Sequence, residues 1–130
     1  NIKIRQLRDR LVKKVPKMIS GVTINGSLEK RLPNNINFTF PGAEGEALLV
    51  ALDQKGFAVS TGSACSSHSL EASHVLSALG IPEETAHSSL RVSLGKYTNE
   101  KEIDNFLLAL AKVVARLREI SGYQIKKDAK

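Results

Sequence analysis

The feature that most limits the possible folds is a long apolar stripe near the C-terminus. Between Ile103 and Ile120, apolar residues recur every three or four positions, which is the spacing of one helix face over about five turns. Asn99, followed three residues later by Glu102, is typical of a helix N-terminus. The stripe comprises Ile103, Phe106, Leu107, Leu110, Val113, Val114, Leu117 and Ile120. A helix with such a face has to be covered by a second layer of structure.

Four short stretches predict the strands of that layer. Residues 36–40 and 90–94 alternate apolar with polar side chains, which predicts strands with one buried face. Residues 22–24 and 57–59 are shorter apolar stretches, and the first is followed by the turn signal Asn25-Gly26. Together these stretches predict a small sheet.

Three further helices are predicted before the C-terminal one. Residues 2–15 have apolar residues at helical spacing with basic residues between them, and Pro16 should end or kink this helix. A second helix is predicted at 44–55, and a third from an N-cap at Ser69 to Gly80. The fold class that follows is α/β in the α+β two-layer sense: a small, mostly antiparallel sheet with helices packed on it.

Length and composition fit a single domain. The chain has 130 residues, of which 42% are hydrophobic and 25% charged, and no apolar run is as long as a membrane span, so no membrane is expected as a partner. A single cysteine cannot form an internal disulfide, which predicts a reducing, cytoplasmic location. The chain starts at Asn1 rather than at a methionine, which suggests a piece of a longer protein.

The net charge of +6 raises the question of nucleic acid. The basic residues are scattered over the first helix and the C-terminal tail, however, and no basic run is interleaved with stacking aromatic residues. We therefore expect no nucleic-acid partner. Solvated helix faces explain most of this charge, and an acidic partner protein is the next explanation.

The only cysteine, Cys65, lies in a run of small polar residues and glycine. No large apolar side chain occurs between Val59 and Leu70, whereas a cysteine kept for packing normally has apolar neighbours. Residues 60–69 are therefore predicted to form an exposed, mobile loop that carries a thiol near its middle. Such a thiol could collect a group at one place and deliver it at another, and the alternative is a free cysteine on a linker.

Arg91 is the second residue of interest, because it lies in the middle of a predicted strand. Its side chain should point away from the face of Leu90 and Val92, where its planar fork of donors could hold a carboxylate or a phosphate. The alternative is an ordinary arginine on the solvent face of a sheet, and the residues by themselves favour that alternative.

Other candidate sites are weaker. His68 follows Cys65 by three residues, but a self-contained zinc site needs more ligands than the chain offers, so no metal site is predicted. A protease-like Cys–His pair would need a cysteine on a rigid element. The glycines at 42 and 45 precede a helix, but Glu44 and Glu46 would repel a bound phosphate there.

Two motifs together resemble one enzyme family. Residues 60–67 read Ser-Thr-Gly-Ser-Ala-Cys-Ser-Ser, and residues 86–95 read Ala-His-Ser-Ser-Leu-Arg-Val-Ser-Leu-Gly. In this order they resemble the C-terminal part of NifS/IscS-type cysteine desulfurases, which are class V aminotransferase-like enzymes. The similarity extends from about residue 4 to residue 121, and the loop resembles the long-loop class.

The resemblance implies a homodimeric parent enzyme of fold type I that depends on pyridoxal phosphate. It implies that this enzyme converts L-cysteine to L-alanine and carries the sulfur as a persulfide on Cys65, for transfer to an acceptor such as an iron–sulfur scaffold protein. It also implies that Arg91 binds the substrate carboxylate. Cys65 could share an iron–sulfur cluster with a partner, and His87 belongs to the second motif without a known role.

The resemblance also defines what is missing. The family's cofactor lysine lies in a Ser-x-His-Lys motif, and no lysine of this chain has that context. We therefore expect residues 1–121 to be the small C-terminal domain, residues 122–130 to be a polar tail, and the cofactor to be bound by an absent N-terminal large domain. The alternatives are a non-catalytic sulfur carrier or scaffold-docking module, and another fold type I relative such as a selenocysteine lyase.

Overall fold

The computed structural model describes residues 2–25, 34–57, 59–61, 87–95 and 98–123. These residues form a helical layer and a sheet. In chain order the elements are α1 (Ile2–Met18), β1 (Thr23–Asn25), β2 (Asn35–Thr39), α2 (Gly45–Gln54), β3 (Ser60–Thr61), β4 (Ser89–Ser93) and α3 (Glu100–Ser121).

The four strands form one sheet in the order β1-β2-β4-β3, and each neighbouring pair is antiparallel. The two longest strands are central, with Ile36 opposite Val92 and Phe38 opposite Leu90. The predicted two-layer fold with a small antiparallel sheet is confirmed.

One face of the sheet forms the core with the helices. Ile36, Phe38 and Leu90 are completely buried, as the alternation in their strands predicts. The helices cover this face with side chains spaced three or four residues apart. Their buried core residues are Leu7, Leu11, Val15, Leu48, Leu52, Ile103, Phe106, Leu107, Leu110, Val113 and Val114.

Helix α3 has the ends that its sequence predicts. The Asn99 side chain accepts a hydrogen bond of 2.8 Å from the backbone N–H of Glu102, which satisfies a donor at the first turn. At the other end, Gly122 adopts a left-handed conformation with φ of 73°, and Tyr123 N–H donates to the Arg118 carbonyl. The predicted tail thus begins with two ordered residues, and residues 124–130 lie outside the described part.

Four local predictions differ from the structure or lie outside the described residues. Helix α1 continues past Pro16 to Met18, so the proline lies inside the last turn. The third strand is not at 57–59, because the Phe57 N–H closes the end of α2 by donating to the Leu52 carbonyl at 2.9 Å. The strand is formed instead by Ser60 and Thr61, so the loop predicted at 60–69 cannot begin before residue 62. The helix predicted from Ser69 to Gly80 lies outside the described residues.

The net charge of the chain is concentrated on α1. This helix has seven of the 19 Lys and Arg residues and one of the 13 Asp and Glu residues, so its own net charge equals the +6 of the whole chain. Arg10 forms a two-point ion pair with Asp104 of α3, with N–O distances of 2.9 and 3.0 Å. In the part of the chain that the structure describes, no helix is long and apolar enough to cross a membrane.

Candidate functional site

The face of the sheet opposite the core is polar, and it carries Arg91. The register aligns Asn25 with Asn37 and Asn37 with Arg91 across three neighbouring strands. Side chains of directly paired residues lie on the same face. The register therefore places two asparagines and one arginine in a row on the same face, and we call these three residues the polar row.

Hydrogen bonds hold the first half of the polar row in place. The Asn25 amide nitrogen donates to the Asn37 carbonyl oxygen Oδ1 at 2.8 Å and to the Thr39 hydroxyl at 2.7 Å. Asn25 is only 5% exposed and Thr39 only 1%. A buried amide whose two donors are both used is fixed in orientation, so Asn25 is a rigid support for Asn37.

Arg91 lies at the centre of the sheet with its side chain exposed. Its backbone pairs with Asn37 on one side and with Ser60 on the other. The predicted location of Arg91, on the face opposite Leu90 and Val92, is thus what the structure shows. An exposed arginine on a central strand presents its guanidinium from a fixed backbone, which suits the recognition of a carboxylate or phosphate.

The segment that enters β4 is held by the turn after β2. Phe40 N–H donates to the Ser88 carbonyl at 2.8 Å, and Gly45 N–H donates to the His87 carbonyl at 2.6 Å. The His87 side chain is exposed. Because the Gly45 N–H already donates to the His87 carbonyl, this helix start lacks one donor that a bound phosphate would need.

The C-terminal end of α3 also forms hydrogen bonds with the turn after β2. Arg118 Nε donates to the Pro41 carbonyl and Ser121 Oγ to the Gly42 carbonyl, both at 2.9 Å. The Arg118 guanidinium lies 5.0 Å from the centre of the Tyr123 ring, and burial lowers the pKa of Arg118. We call Arg118, Ser121 and Tyr123 the C-terminal clasp.

The other predicted site residues are not among those that the structure describes. Cys65 and His68 lie in the range 62–86, outside the described residues. Among the described residues, no group of three or more His, Cys, Asp or Glu side chains could hold a metal ion.

The described side chains of the polar face do not include the amine and carboxylate groups that bind pyridoxal phosphate in enzymes. These side chains are Thr23, Asn25, Asn35, Asn37, Thr39, Ser89, Arg91 and Ser93. None of these has an amine for a covalent bond to the cofactor aldehyde or a carboxylate to pair with its ring nitrogen. The described residues of this chain therefore do not fit the cofactor without further protein.

Sequence reasoning missed Asn25, Asn37 and Thr39 as parts of a site. The sequence places Asn25 in a turn signal and the other two on the polar side of a strand. The available signal was that Asn37 and Thr39 alternate with buried residues, as Arg91 does. What the sequence lacked was the register that sets them beside Arg91.

Comparisons with known proteins agree with the motifs. The aminotransferase class-V family model matches residues 2–106. The cysteine desulfurase IscS of Dictyoglomus turgidum is 50% identical over 122 residues, which cover 94% of this chain and 31% of that protein. The corresponding protein of Clostridium botulinum strain Hall is 50% identical over 123 residues, with 93% and 31% covered.

The fold has the same relatives. A NifS-like protein from Rickettsia africae superposes with a TM-score of 0.74 at 33% identity, covering 88% of this chain and 29% of that one. A second NifS-like protein gives a TM-score of 0.73 at 32% identity. The chain thus spans about a third of the length of the relatives that it matches.

Proposed function

This chain belongs to the aminotransferase class-V family, and on that basis we propose that it is the C-terminal part of a cysteine desulfurase. The parent enzyme converts L-cysteine to L-alanine and keeps the sulfur as a persulfide. Two relatives that are named cysteine desulfurase and are 50% identical over nearly the whole chain support this proposal.

The reaction needs no external oxidant. The Cys65 thiolate attacks the substrate sulfur, a sulfur–sulfur bond forms, and the carbon–sulfur bond of the substrate breaks. The electron pair of the broken bond stays on carbon, which takes up a proton to become the methyl group of alanine. The two sulfur atoms are oxidised as that carbon is reduced, so cysteine plus enzyme thiol gives alanine plus enzyme persulfide.

The observation that carries the proposal is the pairing of β3 with β4. Ser60 is the register partner of Arg91, and the segment that leads to Cys65 continues from the next residue, Thr61. Four residues of chain reach at most roughly 14 Å. Chain connectivity therefore limits how far Cys65 can lie from the strand pair that carries Arg91, the residue proposed to hold the carboxylate of the amino acid whose sulfur is transferred.

Pyridoxal phosphate supplies the electron sink that this bond cleavage requires when it is bound in the parent enzyme. We assign its binding groups to the absent N-terminal large domain, because the described polar face lacks an amine and a carboxylate. Residues 1–121 are then the small domain of the enzyme, with residues 122–130 as its tail.

The partners follow from the same proposal. The substrate is L-cysteine, the sulfur acceptor is an iron–sulfur scaffold or another acceptor protein, and the parent enzyme is a cytoplasmic homodimer. No role for nucleic acid or a membrane is part of the proposal.

The test is Cys65→Ser in the full-length enzyme loaded with its cofactor. We expect alanine formation and persulfide to fall to background, while the Kd for L-cysteine changes by less than about threefold, since serine keeps the size but loses the nucleophile. Ser67→Ala, an equally small change in the same stretch, serves as the control. Loss of cysteine binding together with activity would mean that Cys65 is structural, and full activity of Cys65→Ser would refute the proposal.

A further inference from the structure

Asn37 is placed to act together with Arg91 on the same ligand. The two residues are direct register partners on neighbouring strands, and opposite side chains on one face have Cβ atoms about 5 Å apart. A carboxylate offers about four lone-pair positions, of which a guanidinium fork uses two. A carboxylate held by Arg91 therefore still has positions for a second donor.

The orientation of the Asn37 amide is set by its neighbour. Asn25 donates to the Asn37 carbonyl oxygen at 2.8 Å, and a reversed amide would bring two NH2 groups together. The carbonyl oxygen is thus directed to β1, and the amide nitrogen is directed away from it. That nitrogen makes no hydrogen bond to any residue within the described ranges.

The support of this arrangement is buried. Asn25 is 5% exposed and Thr39 is 1% exposed. The Asn25 amide nitrogen donates to both Asn37 and Thr39. Burying a side-chain amide is costly unless its donors are used. The buried pair of Asn25 and Thr39 fixes the orientation of the partly exposed Asn37 amide. A sheet face that only contacts water would not need an amide of fixed orientation.

We propose that Asn37 is a second carboxylate-binding residue of the substrate site, donating from its amide nitrogen beside Arg91, with Asn25 and Thr39 as positioning residues. This inference rests on the proposed function. It makes the site selective for ligands whose carboxylate is attached to the carbon adjacent to the one that loses sulfur, because only these satisfy both donors.

Asn37→Asp in the cofactor-loaded full-length enzyme is the sharpest test. The substitution keeps the shape and the acceptor for Asn25, but replaces the donor by a negative charge that repels the substrate carboxylate and pairs with Arg91. We expect the KM for L-cysteine to rise at least about tenfold with kcat changed much less, since the lost contact serves ground state and transition state alike.

Asn35→Asp is the matched control. It makes the same change on the same strand and face, opposite Ser93 rather than Arg91, and should raise the KM no more than about twofold. Cysteamine, which lacks the carboxylate, should inhibit wild type and Asn37→Asp with inhibition constants equal within about twofold. Asn25→Ala, which frees the Asn37 amide to rotate, should raise the KM roughly threefold and leave cysteamine inhibition unchanged.

Arg91→Ala separates failure of this inference from failure of the proposed function. It should raise the KM for cysteine by roughly 10- to 100-fold. Suppose that Arg91→Ala raises the KM as expected, but Asn37→Asp changes the KM no more than Asn35→Asp does, or weakens cysteamine binding as much as cysteine binding. Asn37 is then not a carboxylate ligand, and only this inference is overturned. An unchanged KM in Arg91→Ala would overturn the proposed substrate site itself.

Discussion

At Gly42 the backbone and a tyrosine ring approach so closely that no side chain fits between them. A Cβ atom at this position would overlap Cγ of Tyr123 and lie 2.8 Å from its Cδ1 atom. The residue also has a φ of 86°, in the region where side chains other than glycine are strained. Gly42 therefore allows the C-terminal clasp to close on the turn that holds the entry to β4.

We expect Gly42→Ala to destabilise the chain by about 2–4 kcal/mol, from backbone strain together with overlap with the ring. Gly56→Ala is the matched control, because Gly56 has a φ of 90° but nothing within 4 Å of the added atom. It should cost only the strain, about 1–2 kcal/mol. Thermal unfolding of both variants measures the difference, and equal losses would show that Tyr123 does not press on Gly42.

In the Tyr123→Ala background the overlap disappears, so Gly42→Ala should then cost about as much as Gly56→Ala. This double substitution also tests whether Tyr123, which lies beyond the end of α3, contacts Gly42 in solution. A clasp that is loose in solution would give additive effects of Gly42→Ala and Tyr123→Ala.

Helices α1 and α3 are joined by an ion pair at their polar edge. Arg10 holds both carboxylate oxygens of Asp104, Lys14 Nζ approaches one of these oxygens to 3.8 Å, and Glu100 contacts Arg10 at 3.3 Å. The hydrogen bond from Arg10, followed by charge attraction from Arg10 and Lys14, lowers the pKa of Asp104 below its usual value. The pair is only partly buried, so its contribution to stability is small and sensitive to salt.

Asp104→Asn should lower the melting temperature slightly at pH 7, and this difference should depend on pH. A carboxyl group whose pKa is lowered by folding contributes its full stabilisation above its unfolded pKa, and the contribution is lost as the pH falls through the folded pKa. The gap between wild type and variant should therefore shrink below about pH 4. Asp53→Asn is the control, since exposed Asp53 makes no ion pair with the described residues. A gap that persists unchanged to pH 2 would exclude the ion pair as its cause.

The elements show where sequence patterns suffice and where they fail. Helix α3 and strands β2 and β4 were predictable, because their periodicity records which side faces the core. Residues 57–59 wrongly predict the third strand, because Phe57 and Val59 are apolar residues that pack against the core, and the Phe57 N–H donates to α2. A two-residue edge strand of Ser and Thr has no periodicity to detect.

For the molecule as a whole, the site too could be predicted only where the sequence carries a pattern. Arg91 could be singled out from alternation and from the family resemblance. The polar row could not, because a hydrogen bond between Asn25 and Asn37 depends on a register across 12 residues of sequence. Cys65 remains a prediction from its motif, since it lies outside the described residues.

The lysines of the described ranges all lie in helices or at a helix end. Those that the structure describes are Lys3, Lys13, Lys14, Lys17, Lys55, Lys101 and Lys112. All seven belong to the helices or to the C-cap of α2, whereas Arg91 points to the other side of the sheet. No described amine can therefore meet a cofactor aldehyde beside a carboxylate held by Arg91.

We expect the 130-residue chain alone to retain no pyridoxal phosphate and to form no alanine from cysteine. Any adduct with a surface lysine is exposed to water and reversible, so gel filtration should remove the cofactor and its visible absorbance. The full-length enzyme, treated in the same way, should keep one cofactor per subunit, and circular dichroism should show that the shorter chain is folded. A cofactor retained at one per chain, with alanine formed on adding cysteine, would mean that a lysine outside the described ranges completes the site, and that the proposed division between two domains is wrong.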